Sequence, residues 1–320
     1  MNRQMSVFKT ITPEVEIFIR DDSTNSETEE LIRRYQKRFP IRYVRGKKEG
    51  IDRTVIYLTK EAVGKFIWWI GDDVIYPGGV AQVLSVIKNN STVNFIWANY
   101  NVFGHNTLAV NIPNNRFFHN IDEILSGDVT GLGFISATIF RKSIALSALD
   151  GAERYVGSLF SNLFIVLYVL SVSGKNYFLR GPIVEAYPAT PSEIKKNVVR
   201  DNTIRNRGFE VYGITLRNIF MEFSDKFGRR NVKKGLKKNF ASLWRGMLVG
   251  WVGGWDTPKG KRWQMFKLYW NFPEFWIVIW LFLMPLWINK ILYKIYKIFF
   301  SHRKFILKEN LMMLLKKNRQ

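Results

Sequence analysis

The sequence of 320 residues contains no cysteine and only three histidines, His105, His119 and His302. The lack of cysteine excludes disulfide bonds, thiolate metal sites and a cysteine nucleophile, and it fits a reducing compartment. The three histidines are dispersed, and none has the short spacing to a second ligand that zinc sites use. Residues 1–12 have no apolar core of signal-peptide length, so no export signal is predicted.

Acidic residues are also scarce, since 26 Asp and Glu stand against 48 Lys and Arg. The resulting net charge is +22 and the pI is about 10.1. A protein with this charge is expected to meet an anionic partner. Nucleic acid, anionic lipid and phosphorylated substrates all remain candidates on composition alone. Hydrophobic residues make up 47% of the chain, which indicates a folded protein rather than a disordered one.

The stretch KFIWWIGDDVIYPGG, residues 65–79, carries the strongest local signal. The apolar run Phe66–Ile70 has the length of a strand, and the adjacent carboxylates of Asp72 and Asp73 follow it directly. Ligands of open α/β sheets bind outside the carboxyl ends of the strands. Adjacent carboxylates there suit a hard divalent cation that also contacts substrate phosphates. A polar turn between a strand and a helix is the alternative interpretation.

Short apolar runs alternate with amphipathic segments through the first half of the chain. Strands are predicted at Val15–Ile19, Ile41–Val44, Phe66–Ile70, Val93–Ala98 and Gly133–Phe140, and helices after Ser26, from about Asp52 to Ala62, and from Val80. The first helix has a predicted capping box formed by Ser26 and Glu29. This succession predicts an α/β fold with a mostly parallel sheet and helices on both faces.

The rest of the chain changes in character. Gly157–Ser173 is predicted to form a buried helix, followed by short strands at Tyr177–Leu179 and Ile183–Val184. We expect three regions: residues 1–190 as the catalytic domain, 191–270 as a basic and largely helical extension, and 271–320 as membrane-associating helices.

The membrane prediction depends on Phe275–Ile288, which is uncharged and rich in tryptophan but interrupted at Pro285. Three lysines follow at helical spacing among apolar residues: Lys290, Lys294 and Lys297. A basic amphipathic helix with aromatic anchors is typical of a segment lying in the membrane interface. One membrane span from Phe275 to Phe300 is an alternative that the lysines make costly. A helical hairpin packed against the catalytic domain is another.

Three stretches together resemble a known family: VEIFIRDDSTNSET, EGIDRTVIYLTKEAVGKFIWWIGDDVIYPGG and GLGFISATIFRKS. In order and spacing the chain is similar to family-2-type glycosyltransferases of GT-A fold, a Rossmann-like architecture. The bacterial surface-polysaccharide branch related to abequosyltransferases is the most similar. The resemblance covers roughly Glu14 to Pro188.

The resemblance implies a set of donor-binding residues. Asp21 and Asp22 would contact the nucleotide base, and Arg53 would face the diphosphate. Asp72 and Asp73 would hold Mg²⁺ or Mn²⁺, with Asp72 also contacting the nucleotide sugar. Ile70 stands where the family more often has a first acidic residue. An Asx turn at Asp21 or Asp22, and a solvated surface arginine at Arg53, are the structural alternatives.

The resemblance also implies a catalytic base after the strand at Gly133–Phe140. The family often has an acidic pair there, whereas this chain offers Glu153 and Asp150. We favour Glu153, although capping of a helix would explain either acid. Family members begin with a strand and a turn of the type IPTYNR, and Met1–Thr12 can supply only the end of the helix that follows it. The expectation is therefore weak or absent activity for this polypeptide.

The implied function is transfer of a sugar from a nucleotide-diphosphate donor to a lipid-linked glycan acceptor. The reaction would be inverting and would belong to surface-polysaccharide synthesis at the cytoplasmic face of a bacterial inner membrane, with an anionic membrane surface as partner. A membrane-docked nucleotide-sugar-binding protein that has lost catalysis is the alternative. Nucleic acid is not expected as a partner, because the basic residues are mixed with long apolar runs.

Overall fold

A computed structural model describes residues 14–102, 108–125, 129–186, 210–237 and 262–300. The chain divides into two compact units, which are treated separately below. One comprises Met1–Ala189 and Thr215–Asn239, and the other comprises Thr190–Ile214 and Phe240–Gln320. The predictions for Met1–Thr12 and for most of the extension at 191–270 lie outside the described residues.

The first unit begins with a two-stranded parallel sheet. Strand β1 (Ile17–Asp21) pairs with β2 (Ile41–Arg45), and helix α1 (Glu27–Gln36) connects them. Ile32 of α1 is fully buried and clusters with Ile41 of β2, which fixes the helix on the sheet. The pairing places Asp21 opposite Arg45 at the carboxyl end of both strands.

The predicted capping box of α1 is wrong. The Ser26 hydroxyl makes no bond to a backbone amide and instead donates to Glu30 Oε1 at 2.8 Å. Glu29 does not reach back to the helix start, because Arg33 Nη2 at 2.6 Å and Arg45 Nη1 at 3.2 Å hold its carboxylate. Charge pairing therefore replaces capping at this helix end.

A larger, six-stranded sheet forms the centre of the unit, in the order β3-β7-β5-β8-β4 with β6 also paired to β8. Its strands are β3 (Phe66–Trp68), β4 (Val74–Ile75), β5 (Val93–Val102), β6 (Arg116–Phe117), β7 (Thr138–Arg141) and β8 (Lys175–Ala186).

The prediction of a mostly parallel sheet is wrong here. Only the β5–β8 pair is parallel among the described pairs of this sheet, and the other pairs are antiparallel. Strands β4 and β6 run antiparallel to β8, and a further reversal lies at the predicted strand Gly133–Phe140. Its first half forms 3₁₀ turns, Val129–Gly133 and Ile135–Ala137, and β7 then runs antiparallel between β3 and β5. The fold is α/β with a mixed sheet.

The core of the sheet lies on β5, where Phe95, Ile96, Trp97 and Ala98 are fully buried. Helix α7 (Ser161–Ser171) is buried along nearly its whole length, which confirms a buried helix here. It begins at Ser161, four residues after the predicted start at Gly157. A large apolar side chain contributes about 1.5–3 kcal/mol when fully buried, so this layer supplies much of the stabilisation.

The remaining helices connect and cover the strands. They are α2 (Ile51–Glu61), α3 (Gly79–Asn89), α4 (Ile121–Leu125), α5 (Lys142–Leu146), α6 (Leu149–Glu153), α8 (Leu216–Glu222) and α9 (Ser224–Phe227), followed by helical residues 229–237. The two short strands predicted at Tyr177–Leu179 and Ile183–Val184 are parts of the single strand β8.

The described part of the second unit contains helices α10 (Arg262–Tyr269), α11 (Pro273–Leu283) and α12 (Leu286–Phe300). The buried Tyr269 hydroxyl donates to the Gly213 carbonyl at 2.6 Å. Met284 is extended and Pro285 lacks an amide hydrogen, so α11 ends there and a new helix begins. Phe275–Phe300 is thus not one helix, and none of the described helices combines the length and apolarity needed to cross a membrane.

Candidate active site

The carboxylates of Asp72 and Asp73 have different surroundings. Asp72 is exposed in the turn after β3, whereas Asp73 is only 5% exposed. The Ser136 hydroxyl donates to Asp73 Oδ2 at 2.5 Å and accepts the Gly71 amide at 3.1 Å. Strand β4 starts directly afterwards and pairs with β8. Asp73 and Ser136 thus fix the turn, and Asp72 is exposed to solvent beside them.

This arrangement fits a magnesium-type or manganese-type ion that is shared with a substrate. No cluster of three or more His, Asp and Glu side chains occurs among the described residues. Such ions commonly take one or two carboxylates and complete their coordination with water and substrate phosphates. One exposed carboxylate beside a buried one matches that limited donor set.

Asp21 ends β1 and is almost fully buried. Its Oδ1 accepts the Ser23 amide at 2.9 Å, and its Oδ2 accepts the Tyr43 hydroxyl at 2.8 Å. Burial alone would raise the pKa of Asp21, but the bonds from Ser23 and Tyr43 and the charge of Arg45 outweigh it and hold the pKa below its ordinary value. The bond to Ser23 is an Asx-type bond, so Asp21 has a structural task. Asp22 beside it is half-buried.

The lowered pKa gives a prediction for stability. A carboxyl group of this kind stabilises the fold above its unfolded pKa of about 4, and this stabilisation is lost as pH falls through the lower folded pKa. Asp21→Asn is expected to reduce the free energy of unfolding at pH 7 by about 1–3 kcal/mol. Urea unfolding should show the difference from the natural protein shrinking between pH 5 and pH 3. A constant difference, or an equal one for Asp22→Asn, would contradict this role.

Arg53 and Glu153 lie 100 positions apart in the chain and form an ion pair. Arg53 Nη1 is 2.5 Å from Glu153 Oε2, and both side chains are close to half exposed. Arg53 lies in the first turn of α2, and Glu153 is the last residue of α6. The fold therefore brings together the cation assigned to the diphosphate and the favoured catalytic base.

Asp150 lies in the first turn of α6 and is exposed. A carboxylate there interacts favourably with the amide end of a helix, which accounts for it without catalysis. Of the two candidate bases, Glu153 is the one that the structure places beside another predicted site residue. Asp21 ends a strand of the two-stranded sheet, whereas Asp72 and Asp73 follow β3 of the six-stranded sheet.

Comparison with known proteins gives a match to a family model over part of the chain. Residues 5–146 match the family model described as Glycosyl transferase family 2. This match covers a little under half of the chain. The enzyme class predicted from the sequence, glycosyltransferase, is confirmed by this match. No curated protein matches the sequence significantly.

Solved structures of S. aureus TarS share the fold of this glycosyltransferase. TarS residues 1–349 align with a TM-score of 0.56 at 12% identity, over 79% of this chain and 74% of that one. The same TarS region in complex with UDP gives 0.52 at 13% identity, over 74% and 66%. A longer TarS structure gives 0.53 at 12% identity, over 74% of this chain and 40% of that chain. The relation to abequosyltransferases stays a prediction.

Three residues that the sequence did not single out contact the candidate site residues or adjoin them in the chain: Asp52, Ser136 and Tyr43. Asp52 looks like an ordinary acid in the first turn of a helix, and Tyr43 like an ordinary strand residue. Ser136 is a small polar residue within the apolar stretch GFISATIF, and that interruption was the available signal. All three act through partners at least 20 positions away.

Proposed function

We propose that this glycosyltransferase moves one sugar from a nucleoside-diphosphate sugar to a hydroxyl group of a lipid-linked glycan, with inversion at the anomeric carbon. The observation that carries the proposal is the contact between Arg53 and Glu153. It joins a cation suited to a diphosphate with a carboxylate suited to accept a proton. Surface-polysaccharide synthesis is the process that such a reaction would serve.

The proposed reaction is a single displacement. The acceptor oxygen attacks the anomeric carbon while its proton passes to a Glu153 carboxylate oxygen. The bond between that carbon and the diphosphate oxygen breaks, and the diphosphate leaves with the electron pair. Arg53 stabilises the negative charge that develops on the leaving group. Release of Glu153 by Arg53 would accompany binding of the donor, because the guanidinium then has phosphate oxygens to contact.

Asp72 would hold a divalent metal ion, Mg²⁺ or Mn²⁺. Asp73, which is hydrogen-bonded to Ser136, would be the second carboxylate of the site. The ion would offset charge on the leaving diphosphate. Asp22, and Asp21 through the turn that it fixes, would contact the nucleotide. UDP is the first nucleotide to test, because one of the TarS structures holds it.

The function is tested by offering the protein a panel of nucleoside-diphosphate sugars with Mg²⁺ or Mn²⁺ and lipid-linked acceptors. Release of nucleoside diphosphate, together with an acceptor heavier by one sugar, is the expected result. Binding of a nucleotide sugar without any turnover would support the alternative of a catalytically impaired binding protein.

We also propose that the second unit docks on an anionic membrane surface at the cytoplasmic face of the inner membrane. Helices α11 and α12 expose large apolar side chains at spacings of three to four residues: Trp276, Trp280, Leu283, Trp287 and Ile291. This set is called the tryptophan stripe. Lys290 and Lys294 are exposed on α12 as well. Aromatic anchors with adjacent lysines suit the boundary between headgroups and acyl chains.

Removal of two anchors should weaken vesicle binding. The double change Trp280→Ala and Trp287→Ala is expected to lower binding to vesicles of phosphatidylglycerol and phosphatidylethanolamine by about tenfold or more. Lys290→Gln with Lys294→Gln should lower it on anionic vesicles only, since each lysine contributes about 1 kcal/mol near a charged surface. Vesicle co-sedimentation measures both. The matched control is Trp263→Ala, an exposed tryptophan outside the stripe; equal losses for control and stripe would contradict the proposal.

A further inference from the structure

Asp52 is a buried carboxylate with three backbone partners. It lies in the first turn of α2 and is only 4% exposed. Its Oδ2 accepts the amides of Gly157 at 2.8 Å and Leu159 at 2.9 Å, and its Oδ1 accepts the Ser161 amide at 3.0 Å. Both oxygens of one side chain thus hold a segment more than 100 positions away.

The segment that Asp52 holds has an unusual backbone. Gly157 has φ of 84° and Leu159 has φ of 70°, which is the left-handed region. A leucine rarely adopts that conformation unless the surroundings impose it. The three bonds to Asp52 supply such surroundings. The Ser161 hydroxyl also donates to the Ala152 carbonyl at 3.0 Å, which ties the end of the segment back to α6.

The two functions of α2 are adjacent in sequence. Arg53 holds Glu153 at the end of α6, and Asp52 holds the chain that follows Glu153. The consecutive residues Asp52 and Arg53 therefore contact the candidate base and the segment that connects it to α7. A movement of residues 157–161 would change the place of Glu153 relative to Arg53.

We propose that Asp52 is a positioning residue for sugar transfer, holding the α6–α7 connection so that Glu153 stays where it can accept the proton of the acceptor. This inference rests on the proposed role of Glu153 as base. A carboxylate is required because three N–H groups converge on it. An asparagine offers one oxygen, and its own amide hydrogens would face those N–H groups.

The test compares Asp52→Asn with Thr59→Ala. Thr59 is a buried residue of the same helix, and its hydroxyl donates locally to the Val55 carbonyl at 2.7 Å. Asp52→Asn is expected to lower kcat for transfer from the donor found in the panel by roughly 100-fold, the scale of a small misplacement of a catalytic group. The donor KM should stay within about twofold. Thr59→Ala should lose thermal stability and keep kcat close to that of the natural protein.

A double-mutant cycle separates positioning from general destabilisation. In a Glu153→Gln background, Asp52→Asn should cause little further loss, since it acts through the group already removed. Equal fold losses in both backgrounds would overturn the proposal. Amide hydrogen exchange of the free protein should quicken at residues 157–161 in Asp52→Asn and not in Thr59→Ala; unchanged exchange would also overturn it. Full activity of Glu153→Gln together with quickened exchange would instead remove the proposed role of Glu153 and leave the anchoring by Asp52 intact.

Discussion

Glu153→Gln is expected to lower kcat by at least about 100-fold, because a positioned general base contributes factors of 10² to 10⁴. The donor KM should change little, since the substitution keeps the size of the side chain. Steady-state kinetics at saturating acceptor measures both constants. Asp150→Asn is the matched control, an exposed acid three positions earlier in the same short helix. A large loss in Asp150→Asn with near-normal Glu153→Gln would reverse the assignment.

Loss of the ion pair with Arg53 cannot by itself account for such an effect. Both partners are close to half exposed, and exposed pairs contribute about 0.2–1 kcal/mol. A 100-fold fall in kcat corresponds to about 2.7 kcal/mol in the activation barrier. Thermal unfolding of Glu153→Gln should therefore differ only slightly from the natural protein, and a large fall in unfolding temperature would indicate a structural role instead.

Asp72→Asn is expected to lower kcat/KM by about 100-fold or more, since it removes the exposed carboxylate of the proposed metal site. Titration calorimetry should show that Mn²⁺ strengthens binding of the nucleoside diphosphate identified in the panel to the natural protein, and that it no longer does so in the variant. The unfolding temperature should remain unchanged, because Asp72 is exposed.

Asp73→Asn is the comparison for this experiment. Its carboxylate is buried against Ser136, so its replacement should reduce stability as well as activity. An affinity for that nucleoside diphosphate that responds to Mn²⁺ equally in the Asp72→Asn variant and the natural protein would contradict a metal role for Asp72.

The longer elements of the first unit could be predicted from local patterns, whereas the short elements β4, β6, α4, α5 and α6 were not predicted. Periodicity placed α2 and α3 to within one residue of their observed starts, and the apolar run at Phe66 marked β3. The direction of the strands could not be predicted in the same way. A β-strand reads the same in either direction on a local pattern, and the antiparallel course of β7 follows from its pairing with β3 and β5.

The site shows the same division between local and distant causes. The positions of Asp72 and Asp73 after a buried strand are visible in the sequence. The different burial of the two carboxylates is not, because it depends on Ser136, 63 positions away. Asp52 is the extreme case, since its three partners lie 105 to 109 positions further along the chain. Sequence patterns carry no signal for contacts of that range.

In the second unit, the break between α11 and α12 could be predicted from the position of Pro285. Pro285 ends α11 because it lacks an amide hydrogen, and the tryptophans of the stripe recur at helical spacing. The spacing did not indicate which face of α11 is exposed, because apolar residues occupy both faces. Trp276 and Trp280 are exposed, whereas their neighbours Phe275 and Ile279 are buried.

The most direct measurement of the central claim is time-resolved proton NMR of the natural protein with a nucleoside-diphosphate sugar, Mn²⁺ or Mg²⁺ as the panel indicates, and a lipid-linked acceptor. The account predicts that each nucleoside diphosphate released is matched by one new glycoside of inverted anomeric configuration. Retention of configuration would contradict the single displacement with Glu153 as base. Unchanged donor across the whole panel would contradict sugar transfer itself.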